Sequence, residues 1–212
     1  LSPWLTLPLG LLLAGASACL LGLVTLRMSG HYLPLATIAW GISLFLLFEK
    51  VSWLGKYDGL TGIPALQLAG IDLGGPVSMY YLIWAVLLGA VWLAHNLLDS
   101  RPGRAIRALK GGRVMAESMG VDTGRYKLFI FVLAALMAAM SGWLFAHLQR
   151  AVSPAPFGMK MGIEYLFMAV VGGAGQVWGA LLGAGILKFV EDQLQVLAPM
   201  LFLTIWKHSL GA

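Results

Sequence analysis

Long apolar stretches without any charge are the feature of this sequence that most limits how the chain can fold. The five main stretches cover Trp4 to Leu26, Tyr32 to Phe48, Leu73 to Leu98, Leu128 to Gln149 and Tyr165 to Leu187. Most reach the roughly 20 residues that a helix needs to cross the hydrocarbon core of a bilayer. The sequence therefore predicts an all-α, polytopic membrane helix bundle with four or five spans, or five to six when half-spans are counted.

The composition agrees with a membrane protein, because 59% of the 212 residues are hydrophobic, 11% are charged and the mean hydropathy is +0.85. Globular proteins average about 25% charged residues. Apolar runs without strict alternation favour helices over an outer-membrane barrel. The first run lacks a preceding basic region and an initiator Met, so we expect no cleaved signal peptide. We expect one transmembrane domain over residues 1–212 that begins within a longer, N-terminally truncated protein.

Basic residues concentrate in one segment, residues 99–127, which carries seven of the fourteen Lys and Arg residues. One such charge at the bilayer centre costs about 3 kcal/mol, so this segment must lie in water. Lys and Arg also mark cytoplasmic loops, which predicts a cytoplasmic position for this segment and for Arg27, and an exterior position for residues 55–72 and 150–162. The net charge of +5 thus reflects topology, and we expect no nucleic acid partner.

The same segment has an internal order that a simple connection does not need. Arg104, Arg107 and Lys110 recur at helical spacing, which predicts a basic face that extends the preceding helix out of the membrane. Gly111 and Gly112 should end that helix, because glycine is a poor helix former.

A second, short amphipathic helix is predicted after the glycine pair. It carries Met115 and Met119 on one face and ends at Gly120, a residue suited to a left-handed cap. One interpretation is a solvated loop whose charges only set topology. The other is a coupling helix that inserts into a groove on a cytoplasmic partner, and the two flexible methionines favour it.

Glycines interrupt the last long run at Gly172-Gly173-Ala174-Gly175, so residues 164–187 form either one kinked span or two half-helices. Broken helices are tolerated in membranes only where protein or a wet cavity covers the freed backbone. Gly175, Gly179 and Gly183 lie four residues apart, a spacing that favours close helix packing over direct contact with a substrate.

Sequence signals for chemistry are missing. Cys19 is the one cysteine, and the four histidines, among them His31, share no metal-ligand spacing. Neither a phosphate-binding GxxxxGK[ST] loop nor a GxSxG nucleophile elbow occurs. We expect no catalytic residue, metal or cofactor on this chain, which is therefore not predicted to be an enzyme.

Three blocks of sequence carry a family resemblance. They are Gly103 to Ala108 with Ala116 to Val121 and Arg125 to Leu128, then Gly30 to Ala39 with Asp58 to Pro64, and Ile163 to Ala184. In the order in which they follow one another along the chain, they resemble the permease subunits of bacterial branched-chain amino acid ABC transporters. The block from Gly103 to Leu128 resembles the coupling loop of that family. Two stretches depart from the family pattern, at Gly111-Gly112-Arg113 and after Pro199.

The resemblance implies a subunit of the bacterial cytoplasmic (inner) membrane that imports branched-chain amino acids or related small polar solutes by alternating access. It implies a second permease, an external solute-binding protein, and cytoplasmic ATP-binding subunits that hold ATP and Mg. A secondary transporter or channel for a small polar solute remains the alternative, because glycine-broken helices suit it equally.

The resemblance also assigns roles to residues. The coupling residues are Arg104, Arg107, Met115, Ala116, Glu117, Met119, Gly120 and Arg125. The candidates for an outer gate or a binding-protein contact are Asp58, Gly59, Thr61 and Gly62, although a plain turn would explain them as well. The helix break and its packing are assigned to Gly172, Gly173, Gly175, Gly179 and Gly183.

Overall fold

The structure is a computed structural model that describes residues 2–26, 28, 32–68, 71–173 and 175–209. The chain divides into two compact units, residues 1–159 and 160–212. The predicted cytoplasmic Arg27, residues 29–31 and Ala174 of the glycine-rich break lie outside the described residues.

The first unit is built from helices joined by short connections. They are α1 (Pro3–Thr25), α2 (Tyr32–Lys50), α3 (Pro76–Asp99), α4 (Arg101–Ala108), α5 (Arg113–Ser118) and α6 (Thr123–Gln149). Among the described residues, α1, α3 and α6 are long and apolar enough to cross a membrane. The prediction of a polytopic all-α membrane protein is confirmed.

The main packing contact of the first unit runs along α1 and α6. A Cβ atom added at Gly22 would lie 2.6 Å from Leu128 Cδ1, so the absence of a side chain lets the two helices approach closely. Small residues serve this purpose in membranes, where hydrocarbon gives helices no hydrophobic reason to associate. Farther along, the Trp143 indole N–H donates to Thr6 Oγ1 at 3.2 Å.

Two small ribbons lie at the helix ends opposite residues 99–127. Strand β1 (Leu60–Thr61) pairs antiparallel with β4 (Ala151–Val152), and β2 (Gln67–Leu68) pairs with β3 (Ile71–Asp72). Leu66 is fully buried beneath this region. These ribbons were not predicted, because two-residue strands are too short to show an alternating pattern.

The second unit contains a short helix and a long one, α7 (Met159–Val171) and α8 (Val177–Ser209). The run that could have been one kinked span is therefore broken at residues 172–176, and its two parts differ greatly in length. Helix α8 has 33 residues and contains Pro199. On it, Lys188 Nζ pairs with Glu191 Oε2 at 2.6 Å.

Candidate functional site

The basic segment begins with a sharp corner between α3 and α4. Helix α3 ends at Asp99, and Ser100 adopts an extended conformation with ψ of 175° before α4 starts. The prediction that the basic face extends the preceding helix is therefore wrong. The physical reason is Pro102, which lacks a backbone N–H and whose ring disfavours helical geometry in the residues before it.

Ser100 serves both helices at this corner. Its hydroxyl donates to the carbonyl of Leu97 at 2.5 Å and accepts from the Gly103 N–H at 3.4 Å. Gly103 is buried, and a Cβ atom there would overlap the backbone carbonyls of Leu97 and Leu98. The corner therefore depends on a serine cap and on a glycine that no side chain can replace without movement.

Arg107 ties α4 back to the end of α3. Its Nη2 donates to the Leu98 carbonyl at 2.7 Å and to Asp99 Oδ1 at 2.8 Å. Both charged side chains are more than half exposed, so the ion pair alone contributes little to stability. The second bond, to the Leu98 carbonyl, fixes the orientation of the guanidinium group. Arg104, on the same helix, is exposed.

Helix α5 is short and is bounded by glycines on both sides. Gly112, with φ of 108° and ψ of 152°, takes a conformation that a side chain rarely allows. At the other end, Gly120 has φ of 77°, its N–H donates to Glu117 O, and the Val121 N–H donates to Ala116 O. These two bonds form a Schellman motif, so the predicted left-handed position of Gly120 is what the structure has.

Three apolar side chains of α5 and its C-cap residue are exposed. The exposed fractions are 81% for Val114, 59% for Met115 and 70% for Met119. Ala116 is fully buried on the opposite side, where α5 packs against α4 and α6. We call Val114, Met115 and Met119 the apolar knob. Exposed apolar side chains in a basic loop that is expected to lie in water are typical of a protein contact.

Helix α5 is also held to the start of α6. The Thr123 hydroxyl donates to Glu117 Oε1 at 2.7 Å, and Thr123 is buried although Glu117 is exposed. Asp122 caps α6 by accepting from the Arg125 N–H at 3.1 Å and pairs with Arg125 Nε at 3.0 Å. Sequence reasoning assigned Glu117 to a partner contact and missed its role within the loop.

The predicted outer-gate residues lie in and beside β1. Thr61 pairs with Ala151, and Asp58 is exposed before the strand. Gly59, with φ of 74°, passes so close to Val152 that a Cβ atom would overlap its carbonyl, whereas a Cβ atom at Gly62 would meet open space. The turn that they form therefore has a structural reason at Gly59.

The glycines of the second unit separate into two groups. Gly173 and Gly175 have positive φ values, 94° and 103°, and form the turn between α7 and α8. Gly172, Gly179 and Gly183 lie where the two helices pass so closely that any added Cβ would overlap backbone atoms. Gly175 is thus part of the turn, and the predicted stripe of three glycines on one helix is limited to two.

A comparison with models of protein families gives a match over residues 1–207 to the family described as branched-chain amino acid transport system / permease component. The chain belongs to this family of permeases. Its membership and the three apolar helices establish it as an integral membrane protein. No solved structure matches the permease.

Curated relatives carry related names. The permease is 29% identical over 215 residues to the high-affinity branched-chain amino acid transport system permease protein LivM of Escherichia coli, covering 90% of this chain and 50% of that protein. It is 35% identical over 115 residues to LivH of the same bacterium, covering 54% of this chain and 37% of LivH. The ribose import permease protein RbsC of Haemophilus influenzae is 28% identical over 134 residues, covering 60% of this chain and 40% of RbsC.

The permease spans about half the length of the LivM proteins that it matches. These relatives are permease subunits of transport systems, and the pair LivM and LivH agrees with the expected second permease. The resemblance predicted from the three sequence blocks is confirmed. The individual roles predicted for residues of the loop, the outer turn and the glycine break remain predictions.

Proposed function

We propose that this chain is a membrane-spanning permease subunit of an ATP-driven importer for branched-chain amino acids or related small polar solutes. Transport proceeds by alternating access in the cytoplasmic membrane, with residues 99–127 on the cytoplasmic side. An external binding protein delivers the solute, a second permease completes the pathway, and ATP with Mg binds to separate cytoplasmic subunits. The ribose permease among the relatives supports the wider class of small polar solutes.

The apolar knob is the observation that carries this proposal. It stands on a helix bounded by Gly112 and Gly120, between the C-terminal end of α3 and the N-terminal end of α6. Methionine side chains adapt to a groove at small cost, and an amphipathic helix seated in a groove is a common mode of docking. A secondary transporter or channel gives no reason for such a knob.

The bonds of the loop explain how a docked subunit moves the membrane helices. A displacement of α5 reaches α6 through Glu117 and Thr123, and it reaches α3 through α4, Arg107 and the Ser100 corner. The two long helices α3 and α6 then move together with the short helix α5. In this proposal the basic residues set the side of the membrane, and the knob makes the contact.

The test uses the full-length permease, purified from its native membrane with the proteins that accompany it. We expect the double variant Met115→Ser with Met119→Ser to lose the ATPase subunits and ATP-driven uptake of labelled leucine. Met159→Ser is the matched control, because Met159 is 57% exposed and lies outside the loop. Uptake that persists without ATPase subunits but collapses with the ion gradient would contradict the proposal.

A further inference from the structure

His147 is a buried titratable side chain that none of the proposed transport roles uses. It lies in the last turn of α6, and 6% of its surface is exposed. Its Nδ1 lies 3.1 Å from the carbonyl oxygen of Pro64. A carbonyl oxygen can only accept a hydrogen bond, so Nδ1 must carry a hydrogen and donate it to Pro64. The imidazole therefore joins the end of α6 to the chain just after the predicted outer-gate residues.

The stretch of chain around this proline is held by several further bonds. We call residues 60–68 the outer segment. The Ile63 N–H donates to the carbonyl of Arg150 at 3.2 Å, and β1 pairs with β4 directly after α6. From the other side, the Trp4 indole N–H at the start of α1 donates to the carbonyl of Gln67 at 2.7 Å. The outer segment is therefore fastened to the end of α6 and to the start of α1.

Two tryptophan rings keep the His147 imidazole in place. The Trp143 ring lies edge-on to it with the centroids 4.6 Å apart, a preferred geometry of aromatic pairs. The Trp4 ring lies 6.0 Å from that of Trp143, whose indole N–H donates to Thr6 Oγ1. Each of the three rings thus has a nitrogen bonded to a separate oxygen, and this packing aims Nδ1 of His147 at the outer segment.

A histidine is an expensive choice for packing alone at this position. Burying a polar ring costs free energy unless its nitrogen finds a partner, and an apolar ring of similar size would fill the space without that requirement. An apolar ring could not, however, hold the Pro64 carbonyl. Proline has a fixed φ, and it restricts the residue before it to extended conformations. A bond to this carbonyl therefore also orients Ile63 and the turn at Gly62.

From this geometry we propose that His147 is a positioning residue, which sets where the candidate gate turn at residues 58–62 lies on the ends of α1 and α6. At its other end, α6 carries Thr123, which bonds to Glu117 of α5. A movement of α6 then displaces the gate turn with it. The effect of His147 on the position of the turn follows from the bonds alone, whereas its effect on uptake rests on the proposed function.

Hydrogen–deuterium exchange of the full-length permease in nanodiscs, followed by mass spectrometry, tests the positioning role. His147→Phe keeps a ring against Trp143 and removes the donor. A typical hydrogen bond changes the equilibrium of local opening by about fivefold, and amide exchange follows that equilibrium. We expect amides of residues 60–68 to exchange about fivefold faster, while peptides from the middle of α6 keep the wild-type rate.

Two controls separate the bond from packing. In His147→Asn the side-chain amide nitrogen takes the place of Nδ1 and can donate to Pro64, so this variant should restore most of the slow exchange. Leu144→Ala removes a buried side chain about one turn earlier on α6 and takes away no donor. It should lower the midpoint of thermal unfolding without selectively faster exchange in residues 60–68. Unchanged exchange in His147→Phe, no rescue by His147→Asn, or the same selective change in Leu144→Ala would overturn the proposal.

Uptake kinetics extend the test to transport. The gate turn meets solute before the ATPase acts, so a misplaced turn should impair capture more than turnover. For labelled leucine in cells that express the full-length permease, we expect His147→Phe to raise KM about threefold with a nearly unchanged maximal rate, and His147→Asn to restore KM. A lower maximal rate at unchanged KM would overturn the role at the gate. Absence of ATP-driven uptake in the wild type would instead contradict the proposed function and leave the exchange result intact.

A measurement on the wild type decides the matter if His147→Phe does not fold. Solid-state NMR of the permease labelled with nitrogen-15 histidine distinguishes a protonated from a bare Nδ1, and the His147 signals are those missing from His147→Asn. We expect a hydrogen on Nδ1, because donation to Pro64 requires it. A bare Nδ1 would overturn the proposal, since His147 could not then hold the carbonyl.

Discussion

The hydrogen bond between Thr123 and Glu117 yields a quantitative prediction about docking. Thr123→Val keeps the shape of the buried side chain and removes the hydroxyl that donates to Glu117 Oε1 at 2.7 Å. A hydrogen bond to a charged group contributes about 1.5–3 kcal/mol when it is desolvated. Glu117 is exposed, so water replaces part of the lost bond and we expect about 1 kcal/mol.

This free energy should be measurable as affinity for the ATPase subunits. The bond holds α5 in one orientation on α6, and a preorganised loop binds more tightly because less ordering remains to be done. A loss of about 1 kcal/mol corresponds to about fivefold weaker binding. The assay is titration of purified ATPase subunits onto the full-length permease in nanodiscs, with Thr123→Ser as the control that keeps a hydroxyl.

A double-mutant cycle identifies the origin of the effect. We expect Thr123→Val and Glu117→Ala to be non-additive, with a coupling free energy of about 1 kcal/mol, because each removes one end of the same bond. Purely additive costs would refute the reasoning, since Glu117 would then act independently of Thr123. An affinity unchanged in Thr123→Val would refute it equally.

Glycine-to-alanine changes test three other close approaches, each read out as the midpoint of thermal unfolding of the full-length protein in detergent. Gly183→Ala should lower the midpoint by several degrees, because the new methyl group meets backbone of the neighbouring helix, whereas Gly185→Ala has open space and should not. Gly59→Ala should destabilise more than Gly62→Ala, since both have positive φ but only the first adds a backbone clash. Gly103→Ala should open the corner of the loop. ATP-driven uptake should therefore fall clearly, whereas the midpoint of thermal unfolding should change little. Equal effects within either pair, or normal uptake by the last variant, would contradict these assignments.

Much of the membrane architecture could be predicted from the sequence because the signal is physical and local. A run such as Leu128 to Gln149 excludes charge over the full thickness of a bilayer, and the structure has a helix there that begins only five residues earlier, at Thr123. Gly112 and Gly120 could also be predicted to end helices, since a glycine that flanks a short helix usually serves as its boundary.

The contacts inside the loop were not predictable in the same way. The basic spacing of Arg104 and Arg107 fits one long helix, but Pro102 and Ser100 divide that helix, and a local cap outweighs a periodic pattern. The bond from Thr123 to Glu117 joins residues six apart across a turn. No periodicity reports such a pair, because the turn between two helices sets the distance.

The loop has two separate attachments to the membrane helices, and this arrangement matters for coupling. If α5 were attached only to α6, a push from an ATPase would rotate one helix against its neighbours. Because α4 is also fastened to α3 by Arg107 and Ser100, the push proposed here would act on two spans at once. These polar bonds lie at a partly exposed corner and each contributes little to stability. In the proposed mechanism their value for transport lies in direction, because they would decide which helices follow the knob when a docked ATPase moves it.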